Sequence, residues 1–237
     1  HCDDVKATGV ETADQTFYGA DYIISTIHPK RMLEMLDTKL IRPAFRTRIN
    51  SIPQTAGGFA VYVKFRAGTM PYMNTNYYGY NCGTPWNCEH YTDSEWPKGF
   101  LYMHMCHEDG AKWAESGVIL SYMNFEEVAQ WSGTRIGRRG ESYEAFKRDR
   151  AERLMANVEK HCPGFIQSVE SYFTSTPLTY YDYTGTEGGS MYGVAKDINM
   201  GAAGRVPYRI KVPNLLLAGQ NVNSHGMLGV IVGTVVT

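Results

Sequence analysis

The chain has 237 residues, 43% hydrophobic and 20% charged, which describes an ordinary globular protein with one sizeable core and room for a small appendage. Twenty-three Lys and Arg against 24 Asp and Glu leave a formal net charge of −1, so no whole-chain field exists to grip nucleic acid or an anionic membrane. No apolar run approaches the roughly 18 residues of a spanning helix, and transmembrane and strongly basic nucleic-acid-binding classes are set aside.

In chain order, Val5 to Glu11 and Gln15 to Tyr18 read as two short strands around a turn. The β-branched and aromatic run Tyr22-Ile-Ile24 suits a buried strand, which His28-Pro29 then breaks. Lys30 to Leu40 has helical spacing, with Met32, Leu33, Leu36 and Leu40 on one side. Phe59 to Phe65 is strand-like after the Gly57-Gly58 punctuation. From Met70 to Trp96 the composition shifts to Tyr, Trp, Asn, Gly and Pro and predicts a long irregular excursion. Gly99 to His107 and Gly117 to Asn124 return to strand character. Ser142 to His161 is the clearest helix, with Phe146, Leu154, Met155 and Val158 inward and Pro163-Gly164 as its stop. Ile166 to Tyr172 reads as a strand, Thr184 to Gly204 as a Gly-rich loop, and Val212 to Ala218 as a short buried strand before a final apolar helix. Strands outnumber helices without regular βαβ alternation. The expected class is α+β, a largely antiparallel mixed sheet with flanking helices.

Five cysteines without C-x-x-C spacing read as free thiols in a reducing, cytoplasmic setting. Cys82, Cys88, His90, His104, Cys106 and His107 match no zinc finger or ribbon, so no metal site is expected. The chain opens at His1 without a signal-peptide pattern and stops at Thr237 inside the apolar run from Met227, which reads as a piece of a longer protein.

The densest chemical signal is the segment Asn214-Leu-Leu-Leu-Ala-Gly219-Gln-Asn-Val-Asn-Ser-His-Gly226-Met-Leu-Gly229. An apolar strand runs through a glycine turn into a helix whose first turn carries two glycines. Such a helix start can receive an electron-rich oxygen or a flat ligand, and the same spacing equally suits close helix–sheet packing.

This segment resembles the C-terminal flavin motif of the phytoene desaturase, carotenoid isomerase and retinol saturase family, and its bacterial retinol saturase-like branch. Two further stretches agree in order: Tyr18-Gly-Ala-Asp-Tyr-Ile-Ile-Ser-Thr-Ile-His-Pro29, similar to the family's strand leaving the dinucleotide-binding domain, and Ser175-Thr-Pro-Leu-Thr179 with Gly188-Gly-Ser-Met-Tyr-Gly193, similar to a stretch beside the substrate. The resemblance implies FAD as the parent protein's cofactor, NAD(P) as a further redox cofactor, and chemistry on carbon–carbon double bonds of a polyene or lipid. It implies residues 1–26 as the end of a FAD-binding domain, 27–205 as a substrate domain and 206–237 as the FAD-contacting strand and helix. Gly219, Gln220, Asn221, Gly226, Met227, Leu228 and Gly229 are the implied cofactor contacts; Gly189, Tyr192 and His225 fall on the substrate side. No G-x-G-x-x-G stands in the sequence, and Gln220 occupies a place where related flavoproteins often carry an acid. The isolated piece is expected to bind FAD poorly and to be inactive by itself.

The aromatic stretch suggests a second role. Tyr72, Tyr77, Tyr78, Tyr80, Trp86, Tyr91 and Trp96 combine apolar bodies with polar tips, as at ligand grooves and interfaces. They are expected to line a path for a hydrophobic small molecule or to make peripheral contact with the inner membrane. The alternative function is a non-catalytic module that captures a lipid or glycan with residues 70–98.

Overall fold

The computed structural model describes residues 1–236; Thr237, the last residue of the expected 206–237 segment, and the side chain of Val236 lie outside the described residues. In chain order the elements are strands β1 (Gly9–Glu11), β2 (Phe17–Gly19) and β3 (Ile23–Ser25), helices α1 (Pro29–Met35) and α2 (Pro43–Asn50), and strands β4 (Gly57–Phe65), β5 (Tyr77–Tyr80), β6 (Gly99–Met105) and β7 (Ser116–Met123). There follow α3 (Glu141–His161), α4 (Phe165–Ser168), β8 (Val169–Ser175), α5 (Pro177–Thr184), β9 (Leu215–Leu217) and α6 (Gly226–Val236). The architecture is mixed α/β with an antiparallel main sheet, as the composition and spacing lead one to expect.

The chain divides into two compact units, one from its two ends (His1–Thr55 with Tyr183–Thr237) and one central (Ala56–Asp182). The division between compact units falls after Thr55 and Asp182. Residues 27–55 and 183–205 supply Met32, Leu33, Ile49, Ile52 and Val194 to the terminal unit's core, which is why they group with the ends.

In the central unit the strands run in the order β5-β6-β7-β4-β8, all antiparallel. One face is closed by α3: Phe59, Val61, Val63, Tyr102, Ile119 and Met123 bury against Ala151, Leu154 and Val158. Glu141 and Glu144 in the first turn of α3, and Lys160 and His161 in its last, complement the helix dipole. Gly164, in the left-handed region at φ 87°, ends the run. The strand expected from Ile166 instead begins at Val169, after the helical turn α4. Phe165 is fully buried against the rings of Phe65 and Tyr102, and the Glu159 carboxylate accepts the Gly164 and Ile166 N–H groups at 2.8 Å, which fixes that turn.

In the terminal unit β1 and β2 form an antiparallel hairpin, and β3 pairs in parallel with β9, Ile23 opposite Leu215 and Ser25 opposite Leu217. The buried Asn214 amide ties these together: its oxygen accepts from Ala7 N–H at 2.9 Å, and its nitrogen donates to the carbonyls of Ala7 at 2.8 Å and Asp21 at 2.7 Å. Helix α1 stops at Met35, short of the Leu40 end expected from spacing. Leu36 turns extended, and the Arg46 guanidinium donates to the Leu33 and Leu36 carbonyls, satisfying the helix end. Helix α2 was hidden in sequence because Ile49 is its one fully buried residue.

Candidate functional site

The C-terminal loop is built as a clasp within the terminal unit. After β9, the Ala218 N–H continues the ladder to the Ser25 carbonyl at 2.9 Å, and Gly219 then turns at φ 95°, a conformation that favours glycine. The Gln220 amide reaches the Met191 carbonyl at 3.4 Å. Asn221 turns inward and is buried; its oxygen accepts the Val194 N–H at 3.0 Å. A Cβ at Gly193 would fall 2.1 Å from that oxygen, so this approach requires glycine.

His225 extends the clasp, its Nε2 bonding the Val194 carbonyl at 2.8 Å and its ring stacking on Tyr192 at 5.5 Å and 20°. Lys196, absent from the residues singled out by sequence, donates its ammonium to the Asn221 and Val222 carbonyls. Desolvation pushes that ammonium down to about 8. Residues 192–196 are thereby pinned to 221–225.

Helix α6 starts differently. Gly226, at φ 75°, has open space where a side chain would sit, and Met227 and Leu228 are 82% and 75% exposed. A Cβ at Gly229 would fall 2.6 Å from the Ser224 backbone, so this glycine allows the loop to cross the helix. Of the sequence-selected residues, Gln220, Asn221, Tyr192 and His225 share the clasp, Gly226 to Leu228 form an open helix start, and Gly189 is buried in the turn Glu187–Gly189.

A second feature lies in the central unit. On the face opposite α3, the register aligns Ala60 with Leu120 and Leu101, and Tyr62 with Val118 and Met103. Tyr78 lies beside Leu101, and Phe173 stacks on Tyr62 at 4.6 Å and 13°. Tyr78, Met105, Tyr122 and Phe173 are exposed and Tyr62, Leu101, Met103, Val118 and Leu120 half-buried. An antiparallel sheet covered on one side ordinarily presents polar residues on the other. Here both parities are apolar, a signal legible in Phe100-Leu-Tyr-Met-His-Met105 that the strand reading alone passed over.

The aromatic excursion is more ordered than its composition suggests. Tyr77–Tyr80 pairs as edge strand β5, and Trp96 is core, 3% exposed, donating from Nε1 to the Tyr122 carbonyl at 2.7 Å. Tyr72, Tyr77 and Tyr91 pack against the same core, leaving Tyr78, Tyr80 and Trp86 outward. A cleft of about 330 Å³ beside Trp96 is lined by Asn81, Cys82, Lys98, Asn157 and Lys160, polar groups unlike the apolar sheet face. Among the described residues no group of three or more His, Cys, Asp and Glu side chains converges on one point, and no helix is long and apolar enough to cross a membrane.

No family model matches the chain. By sequence it is similar to the all-trans-retinol 13,14-reductases of Macaca fascicularis, with 29% identity over 134 residues, and of Homo sapiens, with 29% over 119 residues. The enzyme of that name from Rattus norvegicus matches at 30% over 112 residues. Over about half its length the chain thus resembles all-trans-retinol 13,14-reductases. The matches cover 53%, 49% and 46% of this chain but 21%, 20% and 18% of those proteins, so the aligned part is about a fifth of each relative. The crystal structure of an oxidoreductase from Methanosarcina mazei overlays 98% of the chain at a TM-score of 0.54 and 12% identity, with 45% of that structure covered. At that identity the likeness concerns the fold.

Proposed function

We propose that this chain forms the substrate-handling unit and the flavin-closing segment of an FAD-dependent oxidoreductase that acts on carbon–carbon double bonds of a polyene or other apolar lipid. The observation that carries the reading is the apolar outer sheet face in a relative of retinol reductases. A conjugated hydrocarbon offers no hydrogen-bond handle along its length, so it is held by area. Each apolar side chain covered contributes roughly 1–2 kcal/mol at about 25 cal/mol per Å².

The flavin, when bound, supplies hydride exchange with the substrate. The residues present suit it: Gly226 leaves room for a flat ring, and the N-terminal amides of α6 beside that open space can receive a carbonyl oxygen. Gln220 can donate to and accept from a polyol. Asn221 and His225 act through the backbone they hold, with Lys196 fixing the loop ahead of α6 and Tyr192 offering its outer ring face to substrate. Helix α6 carries no charge and exposes Met227, Leu228, Ile231, Val232 and Val235, and a helix apolar all round is ordinarily buried. A cofactor and further dinucleotide-binding structure would cover it. NAD(P) is the proposed electron partner.

The test is the visible spectrum of the protein made from its complete coding sequence and purified without added flavin. A flavin spectrum that survives gel filtration, together with turnover of a retinoid or carotenoid, is expected. Met103→Lys should leave that spectrum intact and raise the KM for polyene about tenfold or more. A colourless protein that takes up no added FAD overturns the reading.

A further inference from the structure

Within the central unit, the chain from Asn81 to His90 loops out between β5 and β6 and returns on itself, with Asn87 in the left-handed region at φ 60°. The return brings two cysteines to one carbonyl: the Cys82 thiol donates to the Thr84 oxygen at 3.0 Å, and the Cys88 thiol reaches the same oxygen at 4.0 Å and that of Pro85 at 3.4 Å. The pair is asymmetric. Cys88 is 3% exposed and lies over the first residue of β6, where a Cβ at Gly99 would fall 2.9 Å from its sulfur. Cys82 is half-buried at the rim of the 330 Å³ cleft. Both are free thiols. Burial, and a hydrogen bond with the Cys82 thiol, push the Cys88 thiol above its ordinary range.

We propose that Cys82 and Cys88 are a reversible dithiol–disulfide pair, with Cys82 as the thiol reached from solvent and Cys88 as its resolving partner. The oxidant is a low-molecular-weight disulfide such as oxidised glutathione. The Cys82 thiolate attacks one of its sulfurs, forming a mixed disulfide and releasing one small thiolate. The Cys88 thiolate then attacks the Cys82 sulfur and releases the second. One S–S bond breaks and one forms, and the two protons and two electrons lost by the protein end on the two small thiols. The bridge closes the turn that carries the exposed Trp86 and fixes it to the start of β6, at the rim of the cleft.

Trypsin supplies a direct readout, because no Lys or Arg stands between Arg66 and Lys98, so both cysteines fall in the single peptide 67–98. The complete protein is incubated with oxidised glutathione, quenched in acid, unfolded, labelled with N-ethylmaleimide and digested. The expected peptide is two hydrogens lighter than the dithiol and unlabelled, and dithiothreitol restores two labels. The bridge should form faster as pH rises, following ionisation of Cys88. Two labels after oxidation, or glutathione retained on Cys82 with a label on Cys88, overturns the proposal. In Cys82→Ser, Cys88 should remain a labelled thiol; the wild-type peptide decides the matter even where that variant folds poorly.

Discussion

His28 shows how one side chain can set a pH limit. It is 2% exposed, accepts the Lys30 N–H at the start of α1, and its Nε2 meets the Gln54 oxygen at 2.8 Å. Desolvation holds its pKa below the ordinary 6.5, against a smaller opposing effect of the Gln54 hydrogen bond. The unfolded chain therefore binds a proton more readily than the folded one. The stability linked to His28 is complete above pH 6.5 and is lost as pH falls toward the lower folded value. The urea midpoint should drop as pH falls below about 6.5, and His28→Asn should flatten that part of the profile. Asn214→Ala is a second test at this scale. It strands the Ala7 N–H and the Ala7 and Asp21 carbonyls and should cost about 1–3 kcal/mol, read as a lower denaturant midpoint at unchanged slope. Neither role was legible in sequence, since a lone His before Pro and an Asn before a Leu run acquire partners from residues far along the chain. Asn221 and Gly193 illustrate the same limit: both stood in glycine-rich motifs, and only the fold shows that one exists to admit the other.

Helix α3 was read to within one residue at its N-terminus, because its apolar stripe and Pro-Gly stop agree. Arg150 stands in a charge-rich stretch from Lys147 to Arg153, yet it lies inward at 4% exposure. The guanidinium sits 5.0 Å from both the Trp96 and Phe146 rings and pairs with Asp93 and with Glu127, which also accepts from the Tyr91 hydroxyl. A charge at an i,i+4 spacing looks the same in sequence whether a ring from another element covers it or water does. Arg150→Ala should destabilise by about 3–5 kcal/mol, because it leaves the half-buried Glu127 carboxylate uncompensated. Arg150→Met, which fills the slot between the rings, should lose less; calorimetric melting of the two variants separates charge from volume. Strands β4, β6 and β7 were legible from their β-branched and aromatic content, whereas β5 was masked by Gly, Asn and Tyr and exists because β6 offers it an edge.

At the scale of the molecule, the central unit is one continuous stretch with its own sheet, helix and core, whereas the terminal unit needs both chain ends. Residues 56–182 expressed alone should therefore fold, giving dispersed amide resonances and a single cooperative urea transition. Broad, collapsed spectra would show that the unit depends on the rest of the chain. The two-ended build also fixes an order during synthesis. Strand β3 leaves the ribosome long before β9, its parallel partner, since the whole central unit is translated between them. At roughly 5–20 residues per second that interval is on the order of ten seconds, during which the nascent strand's Ile-Ile edge has no mate. The inserted unit can complete its own folding in that time, while the first 55 residues wait, and a chaperone's binding window is written into the order of the elements.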